Sequence, residues 1–248
     1  MIPAGYTLLR RDQVRVLLRH DVVTRLGAWL TAPTLRPPAG AESIASGRGG
    51  AFRVRCAEDL RVVVRPCRRG GWIGRVIAGT YVGWRPRPWR ELAVSLEARA
   101  RSVRTPAILG VRVTGWGIYR GAVVTEEASD TMTLADALTE LTATEARVRV
   151  ARAAGDAVAR LHGAGVEHAD LNLGNILVSR RLVDAPALII DLDGASVGRI
   201  PLPARARRRN LRRLERSWRR LGDSGVAEDV CAGFRAGYEA VDGLPCAC

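Results

Sequence analysis

The stretch VEHADLNLGNILV, residues 166–178, places polar side chains inside an otherwise apolar run. His168, Asp170, Asn172 and Asn175 stand there among Val, Leu and Ile residues that are typical of a protein core. A buried polar group without a partner costs about 1 to 3 kcal/mol, so these side chains need partners in the fold or a ligand to hold. The surrounding sequence indicates which of the two applies.

The bulk composition predicts a globular protein. The chain has 248 residues, of which 47% are hydrophobic, enough for one large domain or two lobes and too apolar for disorder. No apolar run reaches the roughly 18 residues that cross a bilayer, and the start MIPAGYTLLRR lacks the pattern of a signal peptide. The five cysteines lack the paired spacing of a zinc site. We therefore expect a cytoplasmic protein with reduced thiols and no structural metal.

The net charge predicts a polyanionic partner. A formal charge of +14 and a pI near 11.1 fit nucleic acid, an anionic membrane surface or a phosphorylated substrate. All 39 basic residues are Arg, which excludes mechanisms that need a Lys amine, such as a Walker-type phosphate loop or a Schiff base. A GC-rich genome is an alternative explanation for most of these Arg residues.

Residues 1–45 are predicted to form an N-terminal extension. Apolar and Arg positions are mixed over residues 1–30 at spacings compatible with an amphipathic helix or two short elements, and a Pro-rich stretch follows. The segment either packs as an ordinary element or contacts a membrane surface. The basic side chains available for that contact are Arg10, Arg11, Arg15 and Arg19.

Two lobes are predicted to follow, residues 46–128 and 129–248, with a hinge near residues 125–130 and a ligand site between them. The segments FRVRC and LRVVVR, residues 52–56 and 60–65, predict two antiparallel strands. Helices are predicted over residues 87–103 and about 145–161. The first helix is expected to bury a stripe of Trp89, Leu92, Leu96 and Ala100. Short strands, NILV and ALIID, are predicted on either side of the turn after the polar loop.

Three oxygen-bearing side chains in the second half suit phosphoryl transfer from a magnesium nucleotide. Asp191 follows Asp170 by 21 residues, and Asn175 lies between them. Hard cations prefer carboxylate and amide oxygens, and an attacking hydroxyl needs an acceptor for its proton. Asp170 is then the catalytic acceptor, with Asn175 and Asp191 as catalytic metal ligands. The alternative is that these side chains only cap a tight turn.

These motifs resemble those of protein-kinase-like proteins. HADLNLGN matches the catalytic-loop pattern His-x-Asp-x-x-x-x-Asn, and IIDLDG matches the strand that ends in the metal-binding Asp. The resemblance implies an α+β, two-lobed protein-kinase-like fold with an antiparallel-sheet N-lobe and a mainly helical, short C-lobe. It also implies ATP and Mg2+ as cofactors and a structural role for His168 in bracing the catalytic loop.

The same resemblance assigns nucleotide-binding residues in the first half. Gly47, Gly49 and Gly50 of SGRGG stand where the family has a glycine-rich loop over the phosphates, although a plain hairpin turn is the alternative. Arg65 occupies the place of the phosphate-holding Lys. Arg suits both a phosphate and a carboxylate partner.

Acidic partners complete the predicted nucleotide site. Glu91 is the best match to the helix glutamate that pairs with Arg65, and Glu97 is the second choice. Glu126, in the connector between the predicted lobes, is included as a nucleotide-binding candidate.

Departures from protein kinases point to a smaller relative. Ala169 replaces an Arg that in many protein kinases meets a phosphorylated activation segment, and only 57 residues follow Asp191. With RPCRRGG, HADLN and the tail NLRRLERSWRRL, the chain resembles the lipopolysaccharide kinase family over about residues 46–221. The resemblance implies transfer of the ATP γ-phosphate to a sugar hydroxyl of 3-deoxy-D-manno-octulosonic acid (Kdo) on lipid A, or of the lipopolysaccharide inner core.

The implied substrate places the protein at the cytoplasmic face of the inner membrane as a peripheral protein. Basic side chains for contact with an anionic substrate or leaflet are Arg68, Arg69, Arg207, Arg208, Arg209, Arg212 and Arg213, unless the last helix simply presents a solvated face. Nucleic acid is not expected, because the sequence lacks a basic patch rich in aromatic residues. The oligomeric state is unknown from the sequence.

Two other functions stay open at this point. Another small-molecule kinase, such as an antibiotic or heptose phosphotransferase, would use the same catalytic residues with another acceptor pocket. A nucleotide-binding pseudokinase or basic adaptor is the second alternative, although a decayed site usually loses one of Asp170, Asn175 and Asp191.

Overall fold

The computed structural model describes residues 2–44, 50–67, 81–83, 85–222 and 228–241. The chain forms two compact units: unit 1 comprises Met1–Ala93 and Ala107–Glu127, and unit 2 comprises Val94–Pro106 and Ala128–Cys248. The segment 1–45 is part of unit 1. The division of the chain into an extension and two catalytic lobes stays a prediction.

Unit 1 is built on an antiparallel sheet of eight strands in the described parts of the chain. Along the sheet the order is β1-β2-β7-β8-β5-β4-β3, and β6 also pairs with β8. The strands are Tyr6–Arg11 (β1), Val14–Arg19 (β2), Glu42–Ser43 (β3), Phe52–Ala57 (β4), Leu60–Pro66 (β5), Tyr81–Val82 (β6), Ile108–Thr114 (β7) and Ile118–Glu126 (β8). The two strands predicted at residues 52–56 and 60–65 are confirmed.

Of the two alternatives for residues 1–30, the amphipathic helix is wrong and short elements are present. These residues form the β1–β2 hairpin, in register from Tyr6 opposite Arg19 to Arg11 opposite Val14, and then helix α1, Val23–Leu30. Strand β2 pairs with the adjacent strand β1 on one side and, on the other, with β7, which lies about a hundred residues later in the chain and satisfies the remaining backbone groups. The spacing of residues within a segment carries no information about a distant partner strand. For this reason the spacing in residues 1–30 suggested a helix where the chain forms a hairpin.

Helix α2, Arg87–Ala100, begins where the sequence predicts, but its buried face differs from the predicted stripe. The buried side chains include Glu91, Leu92, Ser95 and Ala98, whereas Ala100 is exposed. Two of these buried residues are polar and carry no weight in a hydrophobic pattern. The predicted stripe was therefore rotated around the helix axis.

Unit 2 is mainly helical. Its helices are Leu134–Glu140 (α3), Thr144–Gly163 (α4), Ala204–Arg219 (α5) and Glu228–Glu239 (α6), and its strands are Thr131–Thr133 (β9), Val166–Glu167 (β10), Ile176–Ser179 (β11), Leu188–Ile189 (β12) and Ser196–Val197 (β13). Strands β12, β11 and β9 form one small sheet, and β10 pairs with β13. The helix predicted at 145–161 is confirmed, whereas the strand ALIID is shorter than predicted.

Helices α4 and α6 approach each other closely because both carry glycine at the contact. A Cβ atom at Gly155 would lie 2.1 Å from the carbonyl oxygen of Phe234, and one at Gly237 would lie 2.0 Å from that of Arg152. Larger residues there would force the helices apart. None of the helices in the described ranges is both long and apolar enough to span a membrane.

Candidate active site

A buried imidazole holds the predicted catalytic loop in place. The His168 side chain is fully buried, and its Nε2 lies 3.0 Å from the carbonyl oxygen of Ile190. Its Nδ1 accepts a hydrogen bond of 3.1 Å from the backbone N–H of Asp170. The two contacts define a neutral tautomer with the proton on Nε2, because Nδ1 must accept. Burial lowers the pKa of His168, which favours the same neutral form.

A second buried residue, Asn210 on α5, clamps the backbone of the same histidine. Its Oδ1 accepts from the His168 N–H at 3.0 Å, and its Nδ2 donates to the His168 carbonyl oxygen at 2.9 Å. Asn210 was not among the site residues predicted from the sequence. A signal was present, because Asn210 falls on the apolar i, i+4 stripe formed by Ala206, Leu214 and Trp218 in an otherwise Arg-rich helix.

The buried polar network continues to the C-terminal helix. His162 Nε2 lies 3.3 Å from Asn210 Oδ1, and His162 Nδ1 lies 2.8 Å from the hydroxyl of Tyr238 on α6. Burial lowers the pKa of His162 to about 4. Helices α4, α5 and α6 are thus connected to the loop through neutral hydrogen-bonding groups.

Asp170 and Asn175 are adjacent in this loop. The Asn175 side-chain Nδ2 donates to the Asp170 carbonyl oxygen at 2.8 Å, and Asn172 Nδ2 donates to the same oxygen at 2.9 Å. Asn172 also caps the short 3-10 turn Leu173–Asn175 by accepting from the Gly174 N–H at 2.9 Å. The Asp170 carboxylate is therefore carried by an ordered loop while the residue stays exposed to solvent.

Strand pairing brings Asp191 to the same loop. Ile176 of β11 lies opposite Ile189 of β12, and the Ile190 N–H donates to the Asn175 carbonyl oxygen at 3.0 Å. Asp191 follows directly, with a φ of 61° in the left-handed region, where the chain leaves the strand. Since Asn175 uses its Nδ2 to bind the loop, its amide oxygen is the end that can face a cation. The Asp191 carboxylate and the Asn175 amide oxygen are hard oxygen donors of the kind that fits Mg2+.

The pairing predicted in unit 1 is present. Arg65 of β5 forms an ion pair with the buried carboxylate of Glu91 on α2. Glu97, the second choice, instead pairs with Arg101 at 2.8 Å. A part-buried ion pair holds the guanidinium in a fixed position, which is the requirement for a residue that orients a phosphate.

The remaining predicted nucleotide-binding residues are less defined. Glu126 accepts from Arg19 Nη2 at 3.1 Å. Gly50 is exposed with a φ of 60°, a conformation that favours glycine. Gly47 and Gly49 lie outside the described residues, as do Arg68 and Arg69. The nucleotide-binding roles of all these residues stay predictions.

Two of the predicted contact residues on α5 bind within unit 2. Arg209 binds the Glu167 carboxylate, with its Nη2 at 2.9 Å, and Arg213 Nη1 lies 3.4 Å from the His168 carbonyl oxygen. Arg208 and Arg212 are exposed, whereas Arg207 is half-buried. The alternative that the Arg residues of α5 only form a solvated face therefore holds for some of them, such as Arg208 and Arg212, but not for Arg209 and Arg213.

An antiparallel-sheet unit, a helical unit and the loop and strand that carry Asp170, Asn175 and Asp191 define a kinase-like phosphotransferase. A family model described as the lipopolysaccharide kinase (Kdo/WaaP) family matches residues 41–238. This chain belongs to that family. The protein-kinase-like fold predicted from the sequence is confirmed.

Individual relatives agree with this assignment. A 3-deoxy-D-manno-octulosonic acid kinase of Xanthomonas euvesicatoria is 36% identical over 191 residues, which cover 75% of this chain and 72% of the relative. A protein of the same name from Vibrio cholerae is 29% identical over 178 residues, or 70% and 72% of the two chains. The solved structure of WaaP in complex with acyl carrier protein has a similar fold, with a TM-score of 0.58, 20% identity, and coverage of 91% and 89%.

We expect Asn210→Leu to destabilise unit 2 and to reduce catalysis. The change leaves the His168 N–H and the His162 Nε2 buried without their Asn210 partner, at a cost of about 1 to 3 kcal/mol for each group, whereas the His168 carbonyl oxygen keeps its contact with Arg213. Urea unfolding measures the free energy of unfolding of the variant. A lower kcat shows that the catalytic loop is displaced. Arg212→Leu, an exposed position on the same helix, is the control. An Asn210→Leu protein as stable as the Arg212→Leu protein would contradict the proposed clamp.

We also expect the protein to lose stability on acidification from pH 6.5 to pH 4. Burial lowers the pKa of His162 in the folded chain to about 4, against its ordinary value of 6.5, so the unfolded chain takes up the proton first as the pH falls. The stability contributed by neutral His162 is complete above pH 6.5, and about 3 kcal/mol of it is lost by pH 4. Urea titrations across this range measure the loss, and His162→Gln should remove that component. An equally steep fall in His162→Gln would show that other groups cause it.

Proposed function

We propose that this chain transfers the γ-phosphate of ATP to a sugar hydroxyl of Kdo on lipid A, or of the lipopolysaccharide inner core. The observation that carries the proposal is the ordered loop that holds Asp170 beside Asn175 and Asp191, in a chain that belongs to the lipopolysaccharide kinase family. Its relatives named 3-deoxy-D-manno-octulosonic acid kinase support the choice of Kdo as acceptor.

Asp170 is proposed as the catalytic base. Asp170 is exposed, so an incoming sugar hydroxyl can reach its carboxylate. The side chains of His168, Asn172 and Asn175 hydrogen-bond to the Asp170 backbone and fix the loop. A positioned carboxylate accepts the proton of the hydroxyl as the oxygen attacks phosphorus. The fixed loop matters because a misplacement of about 1 Å can cost about a hundredfold in rate.

Asn175 and Asp191 are proposed to hold Mg2+. When bound, the ion neutralises the charge on the nucleotide phosphates. Asn175 orients its amide oxygen through the bond of its Nδ2 to the Asp170 carbonyl oxygen. Asp191 is positioned by β12, which ends two residues before it. Arg65, held by Glu91, is proposed to bind the nucleotide phosphates, with Gly47, Gly49 and Gly50 as the glycine-rich loop and Glu126 as a further nucleotide contact.

A peripheral position at the cytoplasmic face of the inner membrane completes the proposal. A lipid-linked sugar lies at the membrane surface, and a chain of net charge +14 is attracted to anionic lipids and to an anionic acceptor. Another acceptor, such as an aminoglycoside or a heptose, is tested in the same assay as Kdo-lipid A.

We expect Asp170→Asn to reduce phosphate transfer by about 10²- to 10⁴-fold while leaving nucleotide affinity nearly unchanged. The change removes the proton acceptor but keeps the size of the side chain. Transfer from labelled ATP with magnesium to purified Kdo-lipid A measures the effect, beside free sugars and aminoglycosides. Asp184→Asn, an exposed carboxylate elsewhere in unit 2, is the matched control.

Three results would contradict parts of this proposal. Substantial activity in Asp170→Asn would show that another group accepts the proton. Transfer only to another sugar or to an antibiotic would replace the acceptor but keep the mechanism. ATP binding without any transfer would favour a pseudokinase.

We expect Asp191→Asn to weaken binding of the magnesium nucleotide by about tenfold or more, equal to about 1.4 kcal/mol. The neutral amide lacks the charge that attracts the cation. Calorimetric titration with ATP, with and without magnesium, measures the difference. An affinity for magnesium ATP equal to that of the unmodified protein would rule out Asp191 as a ligand.

A further inference from the structure

One end of the unit 1 sheet presents large apolar side chains to solvent. Val82, Trp116 and Ile118 are 72%, 64% and 63% exposed. Val82 pairs with Ile118 across β6 and β8, and the Gly83 N–H donates to the Gly117 carbonyl oxygen at 2.8 Å. We call these three side chains the sheet-end patch. They are neighbours in one structure and not scattered surface residues.

The turn that carries Trp116 is rigidly built. The Arg15 guanidinium lies 3.8 Å from the centre of the Trp116 ring and donates through Nη2 to the Gly115 carbonyl oxygen at 2.8 Å. A Cβ at Gly115 would lie 2.4 Å from the Ile118 carbonyl oxygen, so only glycine permits this tight turn. One ring face covers Arg15 and the rest of the indole stays in solvent. An ordered, exposed Trp loses little conformational entropy when it binds.

Exposed Arg side chains surround the patch. The Gly115 N–H donates to the Gln13 carbonyl oxygen at 3.1 Å, which places the β1–β2 turn beside the β7–β8 turn. The exposed basic residues at this end of the sheet are Arg10, Arg11, Arg85 and Arg120. Among the described residues, none of these four pairs with a carboxylate, and Asp12 is the acidic side chain of the adjoining turn. The rim of the patch is therefore strongly positive.

We propose that the sheet-end patch docks unit 1 onto an anionic membrane surface. Trp and apolar side chains favour the interface between headgroups and acyl chains, and Arg residues are attracted to anionic lipid headgroups. A protein partner fits less well, because a stable protein interface takes about 20 to 30 residues on each side and a core depleted of charge. Three apolar side chains ringed by Arg match shallow insertion into a bilayer. Of the Arg residues considered for this contact from the sequence, Arg15 and Arg19 are excluded, since Arg15 lies beneath Trp116 and Arg19 binds Asp21 and Glu126.

The docking surface deepens the proposed function and rests on it for its biological sense, because a lipid-linked acceptor must be reached at the membrane. Its test does not depend on catalysis. Binding is measured by co-sedimentation with vesicles of phosphatidylcholine and phosphatidylglycerol, and with vesicles of phosphatidylcholine alone, without ATP or acceptor. We expect binding to the anionic vesicles and a decrease with added salt.

Trp116→Ala with Ile118→Ser should lower the partition onto anionic vesicles at least about tenfold, since both changes remove apolar surface. Arg85→Gln with Arg120→Gln should lower it by about tenfold or more at low salt. The control for the apolar change is Leu182→Ser, in unit 2, where the side chain is 68% exposed. The control for the charge change is Arg61→Gln, an exposed Arg near the start of β5. Circular dichroism checks that each variant is folded.

Vesicle binding that is unchanged in both double variants would overturn the proposal, as would an equal loss in the controls. If the Trp116→Ala, Ile118→Ser variant lost binding to purified acyl carrier protein but kept vesicle binding, the patch would be a protein-binding surface. That result would also overturn the membrane proposal. Vesicle binding that depends on the patch, in a protein with no transfer to Kdo-lipid A, would support the docking surface while refuting the proposed reaction. With detergent-dispersed acceptor, the patch variants should keep the kcat of the unmodified protein.

Discussion

The candidate active site depends on one neutral, buried imidazole. His168 can accept from the Asp170 N–H and donate to the Ile190 carbonyl oxygen only with a single proton, on Nε2. The first bond shapes the loop that carries Asp170, and the second ties that loop to the strand end that carries Asp191. If the ring became charged, Nδ1 would carry a proton that faces the Asp170 N–H, and the bond that shapes the loop would be lost. Burial prevents this because it disfavours the charged form.

In unit 2 the groups that hold the loop are buried and neutral, whereas the proposed catalytic carboxylate is exposed. The groups that fix geometry in unit 2, His162, Asn210 and Tyr238, are buried, and burial keeps His162 neutral. The carboxylate proposed for catalysis, Asp170, is on an exposed residue. Burying a neutral hydrogen-bonded network costs far less than burying charge, so the interior supplies rigidity and the surface supplies reactivity. In unit 1 the buried charges are also hydrogen-bonded: Glu91 pairs with Arg65, and the Arg112 guanidinium donates to the backbone carbonyl oxygens of Leu30, Ala32 and Pro33.

The local motifs of this chain could be predicted because their information is short in range. HADLNLGN and IIDLDG specify residue types at fixed spacings, and the resemblance that they carry implied the pairing of Arg65 with Glu91 that the structure contains. The pairing of β2 with β7 could not be predicted, because the two strands lie about a hundred residues apart. Asn210 was missed for the same reason: its partner, His168, lies 42 residues earlier in the chain.

The sequence by itself determined the kinase-like class, the identity of the candidate catalytic side chains and the large positive charge, since each is a property of residue types and their order. Only the tertiary structure decided which polar groups meet. It placed Asn210, His162 and Tyr238 behind the loop, excluded Arg15 and Arg19 as free basic contacts, and brought Val82, Trp116 and Ile118 to one end of a sheet. The physical reason is that strand register and helix packing bring together residues that no local spacing relates.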